Sequence, residues 1–267
     1  MKGHNGKIVA TIVALLAMAA PSHAYVIDGL LNDWGVTIGS NWTPASPTAQ
    51  YVQHDGLPGT NGIFTGGEQY DAEAMYFDSD ANNLYFAVVT RFPNTGVVYN
   101  SETIVPGDLA LHINGGNSQT LTGTRPGDQH SVTFDYDYGV KTTGPNAGGL
   151  YQDPTWAEPN SDVGHIDNAP ATFTGGTLVG NNPLVYLQQS SIYNDNGFAA
   201  YVIEGSISRS ELGPLNGPID LHWTMGCGND ALDLVGYPVP EPTTALLTGM
   251  GLLVGGLFLK KRKAEGV

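Results

Sequence analysis

The 267-residue sequence predicts an all-β domain, an antiparallel, jelly-roll-like β-sandwich with long loops, set between two apolar termini. Three observations predict it. Residues 25–237 hold no convincing helical periodicity but several runs in which apolar and polar residues alternate, the pattern of a strand with one buried and one wet face. Clusters rich in Gly and Asn between those runs, in a chain with 36 glycines, supply chain reversals. Many short strands separated by such turns argue for a sandwich.

Taken in chain order, residues 1–24 read as a signal helix. Lys2 and Lys7 form a positive start, residues 8–20 are apolar, and Ser22-His23-Ala24 places small residues where signal peptidase reads them. Residues 39–66 are expected as a long loop. Residues 84–90 run apolar without alternation, as a central strand covered on both sides does. Leu109, Leu111 and Ile113 then alternate with Ala110 and His112. Over 131–138, Val132, Phe134, Tyr136 and Tyr138 share one face, with Ser131, Thr133, Asp135 and Asp137 opposite. A second long loop is expected over 141–183. Residues 198–207 form a further strand, followed by one short helical turn over 208–212. Over 219–227, Ile219, Leu221, Trp223, Met225 and Cys227 line one face against Asp220, His222 and Thr224. Turn clusters stand at 78–83, 115–117, 144–149 and 180–183.

Charge separates the ends from the middle. The chain has 25 acidic and 10 basic residues, yet between Tyr25 and Pro240 four basic residues face 23 acidic ones, a net of −19. Such a domain lacks the basic face that nucleic acid requires. The single cysteine, Cys227, excludes an internal disulfide and a zinc site of several thiolates. Its place on an apolar strand face reads as a buried, inert thiol.

The C-terminal end is the most informative stretch. Residues 243–259 are 17 in number and uncharged, enough for a short transmembrane helix. Lys260, Lys261, Arg262 and Lys263 follow at once, which holds that end in the cytoplasm and leaves the rest outside. Just before the helix stands Pro240-Glu241-Pro242, whose two prolines keep the segment extended and leave Glu241 accessible to a processing enzyme. These three parts in order, over 238–263, resemble the PEP-CTERM sorting signal of bacterial exosortase substrates. The resemblance implies an exosortase in the inner membrane as partner, removal of the tail, and arrival at the cell surface or extracellular matrix. A permanent single-pass tail anchor is the alternative reading of the same residues.

The domain over 25–237 carries a second resemblance. Ile27-Asp28-Gly29 followed by Asp33-Trp34 is similar to the opening of DOMON-like and family 9 carbohydrate-binding-module sandwiches. Residues 70–78 with 83–88 are similar to their first long hairpin. The resemblance implies a sandwich and, through exposed aromatic rings, weak binding of extracellular polysaccharide. Of the four tryptophans, Trp34 and Trp223 read as core, while Trp42 and Trp156, in Pro-containing surroundings, are the ligand candidates.

Acid clusters suggest a metal. Asp78, Asp80 and Asn82 set oxygen side chains at alternate positions of a short loop, as calcium sites do, and Glu68, Asp71 and Glu73 lie just upstream. The same loop is equally a hairpin turn built on side-chain-to-backbone hydrogen bonds. Catalytic signals are weak: there is no HExxH spacing and no nucleophile elbow. The expectation is therefore a non-enzymatic exported surface protein. The alternative is a secreted carbohydrate-active enzyme using paired carboxylates, nominally Glu68 and Glu73.

Overall fold

The structure, a computed structural model, describes residues 25–54, 67–115, 118–122, 131–157, 169–193, 197–215 and 217–239. The expected signal helix at 1–24, the helix at 243–259 and the sorting residues Pro240, Glu241, Pro242, Lys260, Lys261, Arg262 and Lys263 lie outside them. No helix among the described residues is long and apolar enough to cross a membrane.

The described strands are β1 (Gln50–Gln53), β2 (Ala72–Ser79), β3 (Asn83–Thr90), β4 (Val97–Tyr99), β5 (Glu102–Ile104) and β6 (Leu109–His112). They continue with β7 (Gln119–Thr122), β8 (Ser131–Phe134), β9 (Tyr138–Val140), β10 (Gly149–Gln152), β11 (Thr155–Ala157) and β12 (Thr172–Thr174). The last are β13 (Thr177–Asn181), β14 (Leu184–Tyr193), β15 (Ala199–Ser208), β16 (Ile219–Thr224) and β17 (Ala231–Gly236). One antiparallel sheet has the order β1-β2-β3-β15-β14, and a second has the order β13-β10-β9-β6-β16-β17. Three hairpins stand apart: β4–β5, β7–β8 and β11–β12.

The two large sheets share a core. Met75, Phe77, Phe86 and Ile203 from the first meet Leu111, Leu150, Leu221 and Trp223 from the second. Burying each such side chain is worth about 1.5–3 kcal/mol. The sheets are also covered on their outer faces. Ala74, Tyr76, Tyr85 and Val89 pack under the N-terminal segment through Tyr25, Leu31, Trp34 and Ile38. This explains the missing alternation at 84–90: β3 lies between β2 and β15 with apolar cover on both sides.

The outer face of the second sheet carries a third cluster of Ala110, Phe134, Trp156, Ala169 and Phe173. Asp108 ties this layer on, accepting from Lys141 Nζ at 2.7 Å and from the Thr142 and Phe173 amides at 3.2 Å each. His222, expected on a wet face, is therefore buried, with Tyr136 packed against its ring.

Three expected element boundaries differ from the structure. Residues 141–183 are not one loop, because β10 to β13 form antiparallel pairs within them. The loop at 39–66 is interrupted by β1. The run 131–138 divides into β8 and the start of β9, because Asp137 turns inward and accepts from the Ile113 amide at 2.7 Å and the Asn114 amide at 2.9 Å. The short helical turn is present as a 3-10 turn over Arg209–Glu211. Cys227 is fully buried, and burial pushes its thiol up to about 11.

Candidate functional site

At the start of β2 a short 3-10 turn, Glu68–Tyr70, delivers Asp71 to the sheet. The carbonyl of Asp71 accepts from the Arg91 amide at 2.8 Å and from Thr90 Oγ1 at 2.7 Å, which anchors it to the end of β3. The register between β2 and β3 then shifts between Ala72 and Ala74, so Glu73 is the extra residue of a β-bulge. A bulge bends the strand and re-aims its side chains. Here it turns Ala72 toward the inter-sheet core while Ala74 faces the N-terminal layer.

The result is a convergence of acids. One carboxylate oxygen from each of Glu68, Asp71 and Glu73 lies within 4.8 Å of the others. Arg91 Nε pairs with Glu73 Oε1, both side chains being largely buried. Asp230, just before β17, lies on the other side. Its Oδ2 accepts from the Ala72 amide at 2.7 Å and its Oδ1 from the Ala231 amide at 2.9 Å, joining the two sheets. Burial, then the charges of Glu73 and Asp230, the hydrogen bond to Asp230 and the charge of Glu68 push Asp71 up to about 8. Burial raises Asp230 as well. Asp71 is only 3% exposed, and its Oδ1 has no hydrogen-bond partner among the described residues. A buried acceptor left in this state costs about 1–3 kcal/mol.

The structure does not bring Asp78, Asp80 and Asn82 to this place. They sit at the opposite end of β2, on the order of 20 Å away along the strand. Asp78 Oδ2 accepts from Tyr25 Oη at 2.6 Å and from Ser46 Oγ and Thr48 Oγ1 at 3.0 Å each. Asp80 Oδ1 accepts from the Asn82 and Asn83 amides at 2.7 and 2.8 Å, and its Oδ2 from Tyr85 Oη at 2.9 Å. This loop is a hairpin turn satisfied by the protein's own donors.

The tryptophans divide. Trp156 is a correction: it is the middle residue of β11, 3% exposed, and its ring meets Phe173 and Tyr136 edge-on. A ring so enclosed offers no face to a sugar. Trp42 is half-buried beside the N-terminal layer, and its carbonyl accepts from Tyr76 Oη at 2.9 Å. Nearby Tyr51 is exposed and stacks on Tyr76 at 5.9 Å.

The sequence reading gives Asp230 and Glu204 no role in a site, although residues 204–207 and 223–230 also share the second resemblance. Nothing local distinguishes Asp230 from other loop acids. Glu204 could have been noticed as a charge inside the apolar run Val202-Ile203-Glu204-Gly205. It is fully buried in β15 and holds the opening motif: Glu204 Oε1 accepts from Trp34 Nε1 at 2.9 Å, and Oε2 from the Gly29 and Asp28 amides at 2.8 and 3.1 Å.

Comparison with protein-family models, with curated proteins and with solved structures finds no match for this chain.

Proposed function

We propose that this chain is an exported surface or matrix protein, sorted by an exosortase-type system, whose acidic sandwich is displayed outside the cell without catalysing a reaction. The observation that carries this reading is the order of three parts at the C-terminus: Pro240-Glu241-Pro242, the uncharged residues 243–259, and the basic cluster 260–263. A helix of that length arrests export, and the cluster fixes its orientation. The N-terminal 24 residues supply entry to the export route. A jelly-roll-like display domain with weak affinity for extracellular polysaccharide completes the reading, with the half-exposed Trp42 as its stacking residue.

The competing reading is a secreted carbohydrate-active enzyme, favoured by the approach of Glu68 to Glu73 within 4.8 Å. Against it stands the burial of Glu73 and its pairing with Arg91, which keep it from a polymer substrate. The test is substitution of Pro240, Glu241 and Pro242 together by Ala in the producing cell. The variant is expected to accumulate in the inner membrane with its tail attached. Normal arrival at the surface would refute sorting through this motif.

A further inference from the structure

We propose that Asp71 and Asp230 share a single proton and so form a pH-sensitive fastener between the two sheets, closed while the proton is held and loosened when it leaves. The inference is independent of the export reading. Asp71 stands just before β2 of the first sheet and Asp230 just before β17 of the second, and both side chains are buried. Their carboxyl groups are hydrogen-bonded to each other. An ionised carboxylate only accepts, so a hydrogen bond between two carboxyl groups requires one of them to keep its hydrogen. Two bare carboxylates in the same place would repel instead.

The surroundings put the proton on Asp71. Asp230 accepts from two backbone amides, Ala72 at 2.7 Å and Ala231 at 2.9 Å, and such bonds favour the ionised form. The charge of His54, the residue after β1, acts on Asp230 in the same direction. Asp71 has the opposite setting. Its Oδ1 meets no donor among the described residues, while Glu68 on the 3-10 turn and Glu73 on β2 bring negative charge close. Arg91, the residue after β3, pairs with Glu73. Burial and the neighbouring acids hold the Asp71 carboxyl up to about 8, against an ordinary 3.8. Between those values the folded chain binds a proton that the unfolded chain has lost. Stability from the pair is therefore full below the window and is lost as pH rises through it. When the proton leaves, Asp71 faces Asp230, Glu68 and Glu73 as a fourth negative charge, and the bond that joins the start of β2 to the start of β17 becomes a repulsion.

Denaturant unfolding of the full chain in mild detergent, from about pH 5 to about pH 9, tests this against Asp71→Asn and Asp230→Asn. Excess chelator throughout removes any contribution from divalent cations. Asp71→Asn offers an N–H to Asp230 at every pH. The unfolding constant of the native chain should therefore climb with pH faster than that of Asp71→Asn, by up to about tenfold per pH unit below pH 8. Glu204 titrates alike in both proteins and cancels from the comparison. Asp230→Asn cannot receive both amides as the carboxylate does, and near pH 6 it should unfold more readily than Asp71→Asn by about tenfold or more. The infrared spectrum of the native chain should show a carboxylic-acid band that disappears near pH 8, a readout that does not depend on either variant folding. Parallel pH dependence of the native chain and Asp71→Asn would overturn the proposal. So would a smaller loss in Asp230→Asn than in Asp71→Asn, or a native spectrum without that band.

Discussion

At the scale of single residues, Glu204 shows what a buried charge does in this fold. The Asp28-Gly29 amides and the Trp34 indole all point at one carboxylate from β15, so the N-terminal layer is fastened to the first sheet by a polar lock within an apolar face. Burial pushes Glu204 up to about 7 although those donors pull it down. Its ordinary value is 4.5, so between about 4.5 and 7 the folded state binds more protons than the unfolded one. Stability from this group is full below that window and is lost as pH rises through it. Glu204→Gln sets an amide N–H against a donor and should cost about 1–3 kcal/mol, with a cost that shrinks from pH 5 to pH 8. Denaturant melts of both proteins across that range measure it, and a cost that grows with pH would contradict the account. The Ile-Asp-Gly and Asp-Trp residues were legible in the sequence as a motif. Their partner was not, because it lies about 170 positions away, as the Trp34–Glu204 separation shows.

Among elements, β2 explains both what the alternating pattern reveals and what it hides. Met75 and Phe77 face the inter-sheet core while Ala74 and Tyr76 face the N-terminal layer, so period two holds along most of the strand. It fails at Glu73, where the bulge inserts one residue and gathers the acids. Strict periodicity cannot announce its own interruption. The pairing of β3 with β15 carries a sharper constraint. Gly205 stands directly opposite Phe86, and a Cβ there would lie 2.4 Å from the ring. Gly205→Ala must displace Phe86 from the core and should lower stability by about 1–3 kcal/mol through overpacking. A denaturation midpoint equal to that of the native chain would show that the ring can move freely. Trp156 erred in the opposite sense, since Pro154 and the nearby turn residues looked like a loop when they were entering a three-residue strand.

For the whole molecule, the sandwich was legible because its central strands obey simple burial rules. The outer layers were not, because they depend on which distant segments fold back as cover. Residues 141–183 read as loop since β10 to β13 are three to five residues each, too short for a periodic signal. The acidic balance of the domain was plain, but only the fold separates Asp78, saturated by hydroxyl donors, from Asp71, whose Oδ1 meets no donor among the described residues. The central proposal concerns the ends: we propose that both are export and sorting labels, removed as the protein matures outside the cytoplasm. Intact-mass measurement of the protein recovered from the surface of its native cell tests this most directly. The expected mass is that of a chain beginning at Tyr25 and ending near Pro240-Glu241-Pro242. A mass retaining residues 1–24 and 243–267 would contradict it.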